Sequence, residues 1–499
     1  MLTNVNDAFE LLLSPSAMAL TAIGTILGIV VGAIPGLTGA MLIALALPLT
    51  FSMPSELALV LLVSMYVGSV SGGFVTATLL RIPGTPASMM TTLDGYPLAI
   101  RGQAGRALAL GIAGSFIGGM ISWCFLACLS QPMAAWSLRF GPFDFFSLVL
   151  VAMVLIATVG DRSLSLGLFS GALGILIAMP GTSPATGATR LTFGFHEMDD
   201  GFKLLPVLIG LFAVNQVIRL ILQGDRIGQT TEMNDNGKLE FHPRDLITHG
   251  VNFLRSGLIG TWIGILPGIG ANVGSVIAYS AAKRASKHPQ QFGNGSEEGI
   301  VASETANNAT VGGALIPLVA MGIPGSVIDA ILLGAFVIHG LQPGPMLVQS
   351  EPLAVQTIIG TMLMASVFTL VFLIFGVRTM VRAARVPSFV LIPVIMIFCV
   401  VGSYALANRM FDVWVMLAFG IIGFAMEKVD LPIAPMVIGF VLAPIGEEHL
   451  AAGLMQSGGS LMPMFQQPIS LVLCLVALGM FAWTLWRRFR NKGPHPERL

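Results

Sequence analysis

Charge is what this chain has least of. Only 10% of its 499 residues are Asp, Glu, Lys or Arg, against 55% hydrophobic ones, and mean hydropathy is +0.85. A soluble domain carries about 25% charge, so a water-soluble globule is excluded. An excess of either sign is lacking too, since 25 basic and 25 acidic residues balance. No basic tract offers itself to nucleic acid, and no nucleic-acid partner is expected. Cysteine is scarce: Cys124, Cys128, Cys399 and Cys474, all in apolar runs. They read as small buried hydrophobes. Cys124 and Cys128 stand one helical turn apart, but a metal site needs more ligands than two. Gly446-Glu447-Glu448-His449 lacks the second His of a zinc protease helix. No Ser/His/Asp or Cys/His set can be argued, so no catalytic residue is assigned and no enzyme is expected. Met1 to Ser14 lack the basic n-region and small-residue cleavage site of a signal peptide.

Long apolar runs are what is present, from end to end, and they are long enough to span a bilayer. They do not alternate polar with apolar residues, which excludes a β-barrel. The expected fold is an all-α polytopic membrane protein in a lipid bilayer, with about 10–12 membrane-spanning segments plus hairpins. The 58 glycines fit this class, because small residues let membrane helices approach closely.

Two stretches are near-copies. Gly28-Ile29-Val30-Val31-Gly32-Ala33-Ile34-Pro35-Gly36 matches Gly260-Thr261-Trp262-Ile263-Gly264-Ile265-Leu266-Pro267-Gly268. Pro-Gly breaks a helix, since Pro lacks the donor and Gly frees the backbone. The apolar pieces 17–34 and 37–51, and again 253–266 and 269–283, are each short for a span and read as re-entrant hairpins. A span of about 56–80 follows the first hairpin and one of about 300–321 the second. Each ends on a second matched break, Ile82-Pro83-Gly84-Thr85 and Ile323-Pro324-Gly325-Ser326. Further spans are expected near 107–129, 143–160, 163–180, 202–222, 354–376, 388–406, 411–427, 431–445 and 468–486. The chain therefore divides into a first half, 1–222, a polar cytoplasmic linker, 223–250, and a second half, 251–499.

Cytoplasmic loops carry excess Lys and Arg. Arg244, Arg255, Lys283, Arg284 and Lys287 flank the second hairpin, whereas Asp7, Glu10 and Glu56 flank the first. The halves are thus expected as inverted-topology repeats, with the C-terminus cytoplasmic. Arg139, Arg190 and Arg409 do not fit the pattern.

Matched breaks in two halves point to a transporter site. Helices starting after Pro35-Gly36 and Pro267-Gly268 present free N–H groups and a partial positive charge, which suit an anion. Substrate contact is expected at Pro35, Gly36, Thr38, Gly39, Pro267, Gly268, Gly270 and Asn272, and at Thr85 and Ser326 beside the second breaks. The run Ser303-Glu304-Thr305-Ala306-Asn307-Asn308-Ala309-Thr310 is the most polar span, and an intramembrane acid is functional by default. Ser303, Glu304, Asn307, Asn308 and Thr310, with Ser71 from the matching span, are the expected ligands of a small cation. Asp94 and Asp329 read as loop or cap residues. Arg81 reads as either an anion partner or an interface anchor.

These motifs together resemble the large membrane subunit of the tripartite tricarboxylate transporter family, TctA-type. The resemblance rests on the paired Gly-x-x-x-Gly-x-x-Pro-Gly, the Ile82-Pro83-Gly84-Thr85-Pro86 segment and the Ser303–Ala309 run, and covers nearly the whole chain. It implies a permease of the bacterial inner membrane, working with a small membrane subunit and a periplasmic solute-binding protein. It implies uptake of citrate-like carboxylates by symport with a cation, Na+ or H+, and no other cofactor. Its motif positions fall on Gly28, Gly32, Pro35, Gly36, Gly260, Gly264, Pro267 and Gly268. The phosphate-cradling Gly-x-x-x-x-Gly-Lys-Ser/Thr is absent, as a secondary transporter requires. An anion channel or an intramembrane enzyme built on Glu304, Asp329 and Arg81 are the competing readings. The inverted arrangement is tested by cysteine labelling: Arg255→Cys and Lys283→Cys should react only from the cytoplasmic side, and reaction from outside contradicts it.

Overall fold

The structure is a computed structural model describing residues 2–159, 164–223, 239–268, 270–383 and 388–490. The first half runs α1 (Leu2–Leu13), α2 (Pro15–Ala33), α3 (Gly39–Thr50), α4 (Ser55–Leu80), a 3-10 turn (Pro86–Ser88), α5 (Met89–Leu98) and α6 (Ala104–Ser137). It continues with α7 (Pro142–Val159), α8 (Leu164–Ala178), a two-residue antiparallel pair, β1 (Gly181–Thr182) with β2 (Thr189–Arg190), then α9 (Leu204–Leu208) and α10 (Asn215–Gln223). Next come α11 (Arg244–Thr248), α12 (Gly250–Ile265), α13 (Gly270–Ala285), α14 (Glu297–Met321), α15 (Val327–Ile338), α16 (Pro345–Ser350) and α17 (Pro352–Ala383). The chain closes with α18 (Ser388–Ala405), α19 (Met410–Lys428), α20 (Ile433–Gln456), α21 (Met462–Gln466) and α22 (Pro468–Arg490).

Among the described residues, seven helical segments are long and apolar enough to cross a membrane, including Ser55–Leu80, Pro352–Val377 and Ile433–Gln456. The protein is therefore an all-α polytopic membrane protein. By packing it forms two compact units, Met1–Ser137 with Leu204–Ala425, and Leu138–Lys203 with Met426–Leu499. This is a division of packing, not of repeats. Most of the expected linker, 224–238, lies outside the described residues.

The matched breaks have matched backbones. After α2, Ile34 is extended (φ −81°, ψ 115°) and Gly36 takes φ +91°. After α12, Leu266 repeats this (φ −79°, ψ 121°) and Gly268 takes φ +76°. Positive φ is the region that glycine enters without a Cβ penalty. After α4, Arg81 is left-handed (φ 57°, ψ 21°); after α14, Gly322 is the same (φ 71°, ψ 23°). Helix resumes on an extended cap in each case, Thr85 (φ −124°) and Ser326 (φ −146°).

The Gly-x-x-x-Gly residues of both motifs serve packing. A Cβ at Gly28 would lie 2.5 Å from the Met65 carbonyl, and one at Gly32 would lie 2.2 Å from that of Ser69. Gly260 and Gly264 meet the Ala306 and Thr310 carbonyls at 2.3 and 2.5 Å in the same sense. So α2 packs backbone to backbone on α4, and α12 on α14. In lipid no hydrophobic force drives helices together, and close van der Waals contact takes its place. The result is that α4 from Ala58 to Leu79 and α14 from Gly299 to Ala320 are buried all round. Their serines, threonines, asparagines and Glu304 face protein, not lipid.

One expectation is corrected. Cys399 and Cys474 are buried, but Cys124 and Cys128 are exposed on the outer face of α6. A thiol is apolar enough to sit on a lipid-facing surface without loss. The packing makes a prediction for an equivalent pair. A Cβ at Gly72 would lie 2.2 Å from the Ile29 carbonyl, and at Gly313 2.3 Å from that of Thr261. Gly72→Ala and Gly313→Ala should each cost about 1–3 kcal/mol, read as a lower unfolding midpoint in detergent. A wild-type midpoint in either contradicts the close approach.

Candidate functional site

The helix after the first Pro-Gly break packs on the helix after the Ile323-Pro324-Gly325-Ser326 break. α3 and α15 run parallel, side by side. At their starts a Cβ on Gly39 would lie 3.1 Å from Ile328 Cδ1; at their ends Thr50 Oγ1 lies 2.9 Å from His339 Nε2. Thr38 caps α3, its Oγ1 accepting from the Met41 amide at 3.1 Å. Ser326 caps α15, its Oγ accepting from the Asp329 amide at 3.3 Å. Tyr66 on α4 places its hydroxyl 3.4 Å from Ser326 Oγ. The reciprocal pair is α13 on the 86–88 turn and α5. There Tyr279 donates to Asp94 Oδ2 at 2.8 Å, and Ser275 donates to the Ser303 carbonyl at 3.2 Å. Two helix N-termini therefore stand together at α3 and α15, concentrating partial positive charge from both halves at one place.

Thr38, Gly39 and Ser326 are thus brought together as expected residues of one cluster. The Pro-Gly tips have other neighbours. A Cβ on Gly36 would lie 2.6 Å from Gln216 Nε2, and the Gly268 amide donates to the Gly325 carbonyl at 2.8 Å. Gly270 opens α13 at φ +69°, and Asn272 on its first turn is exposed. Thr85 Oγ1 is buried with no hydrogen-bond partner. Gln216 went unnoticed in the sequence. The signal was there: Asn215-Gln216 is a polar pair inside the apolar span 202–222. The α-helix there widens into a π segment, Ile209–Val214, a distortion found often at functional sites.

The polar run on α14 forms a second cluster. Ser71 donates to Asn308 Oδ1 at 2.5 Å, and Asn308 Nδ2 donates to Ser115 Oγ at 2.9 Å. Glu304 is fully buried, accepts from Thr91, and lies 3.5 Å from Asn307 Nδ2. Asn307 Oδ1 has no partner. Ser71, Ser115 and Asn308 line a cavity of about 10 Å³ with Ser366 and Thr369, room for about one water molecule. Ser303 joins through Thr91 at 3.0 Å. Thr310 does not join: its hydroxyl is turned onto the Asn307 carbonyl at 2.6 Å, and its methyl faces Gly274.

Several other acids and arginines hold the structure together. Asp94 Oδ1 accepts from the amides of Gly293, Gly295 and Ser296 at 2.8–2.9 Å, so it anchors the insert before α14. Arg81 is exposed, its guanidinium 5.7 Å from the centre of the Tyr96 ring, which fits the interface-anchor reading. Arg190 pairs with Glu447 at 2.5 Å and Arg409 with Asp412 at 2.9 Å. Two of the three residues that break the basic-loop pattern are thus paired with acids. Arg106 binds both Asp245 and Glu297, and His249 reaches Glu297 at 3.3 Å.

Helices broken at matched positions beside two helices buried all round are the arrangement of a membrane transporter. The chain belongs to the tripartite tricarboxylate transporter TctA family, which residues 18–438 match. It is thus an integral membrane protein and a transporter component of that family. An uncharacterized 52.8 kDa protein from Agrobacterium vitis, in the TAR-I ttuC' 3' region, is 32% identical over 494 residues, 99% of this chain and 98% of its own. A second uncharacterized protein from the same organism, in the TAR-II ttuC' 3' region, is 34% identical over 233 residues, 47% of this chain and 96% of its own. No solved structure matches.

The Arg106 cluster predicts a pH effect. Hydrogen bonds from Arg106 hold the Asp245 carboxyl down to about 2, from an ordinary 3.8, against the opposing cost of burial. A depressed pKa stabilises the fold above the unfolded value and loses that contribution as pH falls through the folded one. Asp245→Asn should therefore lower the unfolding midpoint at neutral pH. Its difference from wild type should shrink as pH falls from 3.8 towards 2. A difference that is constant across that window contradicts the pairing.

Proposed function

We propose that the chain is the large membrane subunit of a tripartite secondary transporter. It imports citrate-like carboxylates by symport with a cation, Na+ or H+. A periplasmic solute-binding protein delivers the substrate, and a small membrane subunit completes the membrane part. The protein sits in the bacterial inner membrane with its C-terminus in the cytoplasm. Its halves, 1–222 and 251–499, are inverted repeats joined by the cytoplasmic segment 223–250.

The observation that carries this reading is the parallel pairing of α3 with α15. Two capped helix starts from opposite halves meet inside a membrane protein, and such starts bind carboxylates without a formal cation. Gly36, Gly39, Ser326 and Gln216 border the substrate there; Thr85, Gly270 and Asn272 border it from the reciprocal pair. Coupling follows from electrostatics. Moving a trianion inward against 100 mV costs roughly 7 kcal/mol, at about 2.3 kcal/mol per charge. Net uptake needs compensating positive charge. Glu304, Asn307, Asn308, Ser71 and Ser303 form the oxygen-rich cluster suited to a small cation, with Asn307 Oδ1 free to ligate.

The test is uptake of labelled citrate into proteoliposomes holding the chain with its small subunit, with the binding protein outside. Uptake should require a cation gradient; downhill, ion-independent flux would instead indicate a channel. Asn272→Ala and Asn308→Ala should each lower uptake at least about tenfold, a loss of about 1.4 kcal/mol, at unchanged membrane level. Because Asn308 bridges α4 and α6, its variant should also unfold earlier, whereas Asn272→Ala should not.

A further inference from the structure

Asp329 stands beside the α3 and α15 helix starts. It lies in the first turn of α15, fully buried, and neither carboxylate oxygen has a hydrogen-bond partner. Ser326-Val327-Ile328-Asp329 has the spelling of a capping box, in which cap and acid bond each other's backbone amides. Only one half is made: Ser326 Oγ accepts from the Asp329 amide, while the carboxylate lies beside the Ser326 amide and hydroxyl and the Tyr66 hydroxyl without full hydrogen-bond geometry to any of them.

Among the described residues, the helices that pack most closely on α15 bring no cation to it. Of the helices packed on α15, α3 and α9 carry no ionisable side chain, and α14 carries only Glu297, Glu298 and Glu304. α4, which supplies Tyr66, adds only Glu56, and His339 follows the far end of α15. A bare carboxylate among such groups is costly. What favours its charge is the pair of helix N-termini at which it stands. These are the N-termini that a substrate carboxylate would use. Two anions cannot both be held there.

We infer that Asp329 carries a proton that is taken up together with the substrate anion. A proton from the outer solution bonds to a carboxylate oxygen, giving a neutral acid whose O–H donates to Tyr66 or Ser326. The substrate carboxylate then occupies the α3 and α15 N-termini. On the inner side both leave, the proton to water, and the carboxylate of Asp329 is restored. Nothing is oxidised, and one positive charge accompanies each anion. Tyr66 is a positioning residue for the acid. The inference rests on the carboxylate-symport reading above and adds the group and the ion.

The experiment uses the same reconstituted three-component system, labelled citrate and a trapped pH indicator. Wild type must first take up citrate with any cation; if it does not, the symport reading fails and this inference with it. If it does, the variants decide the inference alone. Asp329→Asn should lose pH-gradient-driven accumulation and citrate-linked proton entry about tenfold or more, yet retain exchange of internal for external citrate. Exchange needs no release of the proton, so a merely structural defect would remove both activities. Tyr66→Phe should shift the pH profile of uptake while keeping exchange. The inference is overturned by wild-type proton entry in Asp329→Asn, or by loss of exchange together with accumulation. If Asp329→Asn does not assemble, an unchanged pH profile in Tyr66→Phe overturns it.

Discussion

Inside a bilayer there is no water to satisfy an open backbone group, and among the described residues this chain opens its backbone at four matched breaks beside α4 and α14. The packing of the first compact unit is built around the helices that flank those breaks. Gly28, Gly32, Gly260 and Gly264 bring α2 and α12 into backbone contact with α4 and α14. The breaks then lie against protein: the Gly84 amide donates to the Gly73 carbonyl at 3.3 Å, and the Gly268 amide to the Gly325 carbonyl at 2.8 Å. Any Cβ at the packing positions would drive these helices apart and leave the freed amides and carbonyls facing hydrocarbon.

The same packing explains how so polar a helix as α14 can exist. Ser303, Glu304, Asn307 and Asn308 are each buried, and their partners come from four other helices, Thr91 on α5, Ser71 on α4, Ser115 on α6 and Ser275 on α13. Placed on a lipid-facing helix, the same residues would carry the full cost of unpaired polar groups. On a helix surrounded by protein they become a hydrogen-bonded core with one free carbonyl oxygen, Asn307 Oδ1. Asp329 is the contrast: buried as fully, but left without a donor, beside the helix starts where charge would matter most.

Most of the broad plan was legible in the residues. Low charge and long apolar runs are compositional, and a Pro-Gly pair breaks a helix wherever it falls. The backbone torsions at Ile34 and Leu266, or at Arg81 and Gly322, repeat because the local sequence repeats. What misled was reading exposure and role from type alone. Cys124 and Cys128 are apolar yet lie outside, because a helix in lipid has no need to hide an apolar face. Thr310 sits in the polar run but points away from its cluster, since helical rotation turns it towards α13. Gln216 is hidden in the sequence because its span is apolar on average.

The sequence by itself determined the class, the number and place of the breaks, and the repeat, since these depend on local backbone chemistry and on counting apolar residues. It also placed small or hydroxyl-bearing residues at the helix starts, Thr38, Gly39, Thr85 and Ser326. Only the tertiary structure decided which breaks meet. The two Pro-Gly tips match in sequence, but they take different neighbours, Gln216 for Gly36 and Gly325 for Gly268. The helix after the first tip instead runs beside the helix after the other half's second break, joined at Gly39 and Ile328 and again at Thr50 and His339. That pairing links residues nearly three hundred apart in the chain. It arises from the packing of whole helices around α4 and α14, a long-range outcome that no local pattern encodes.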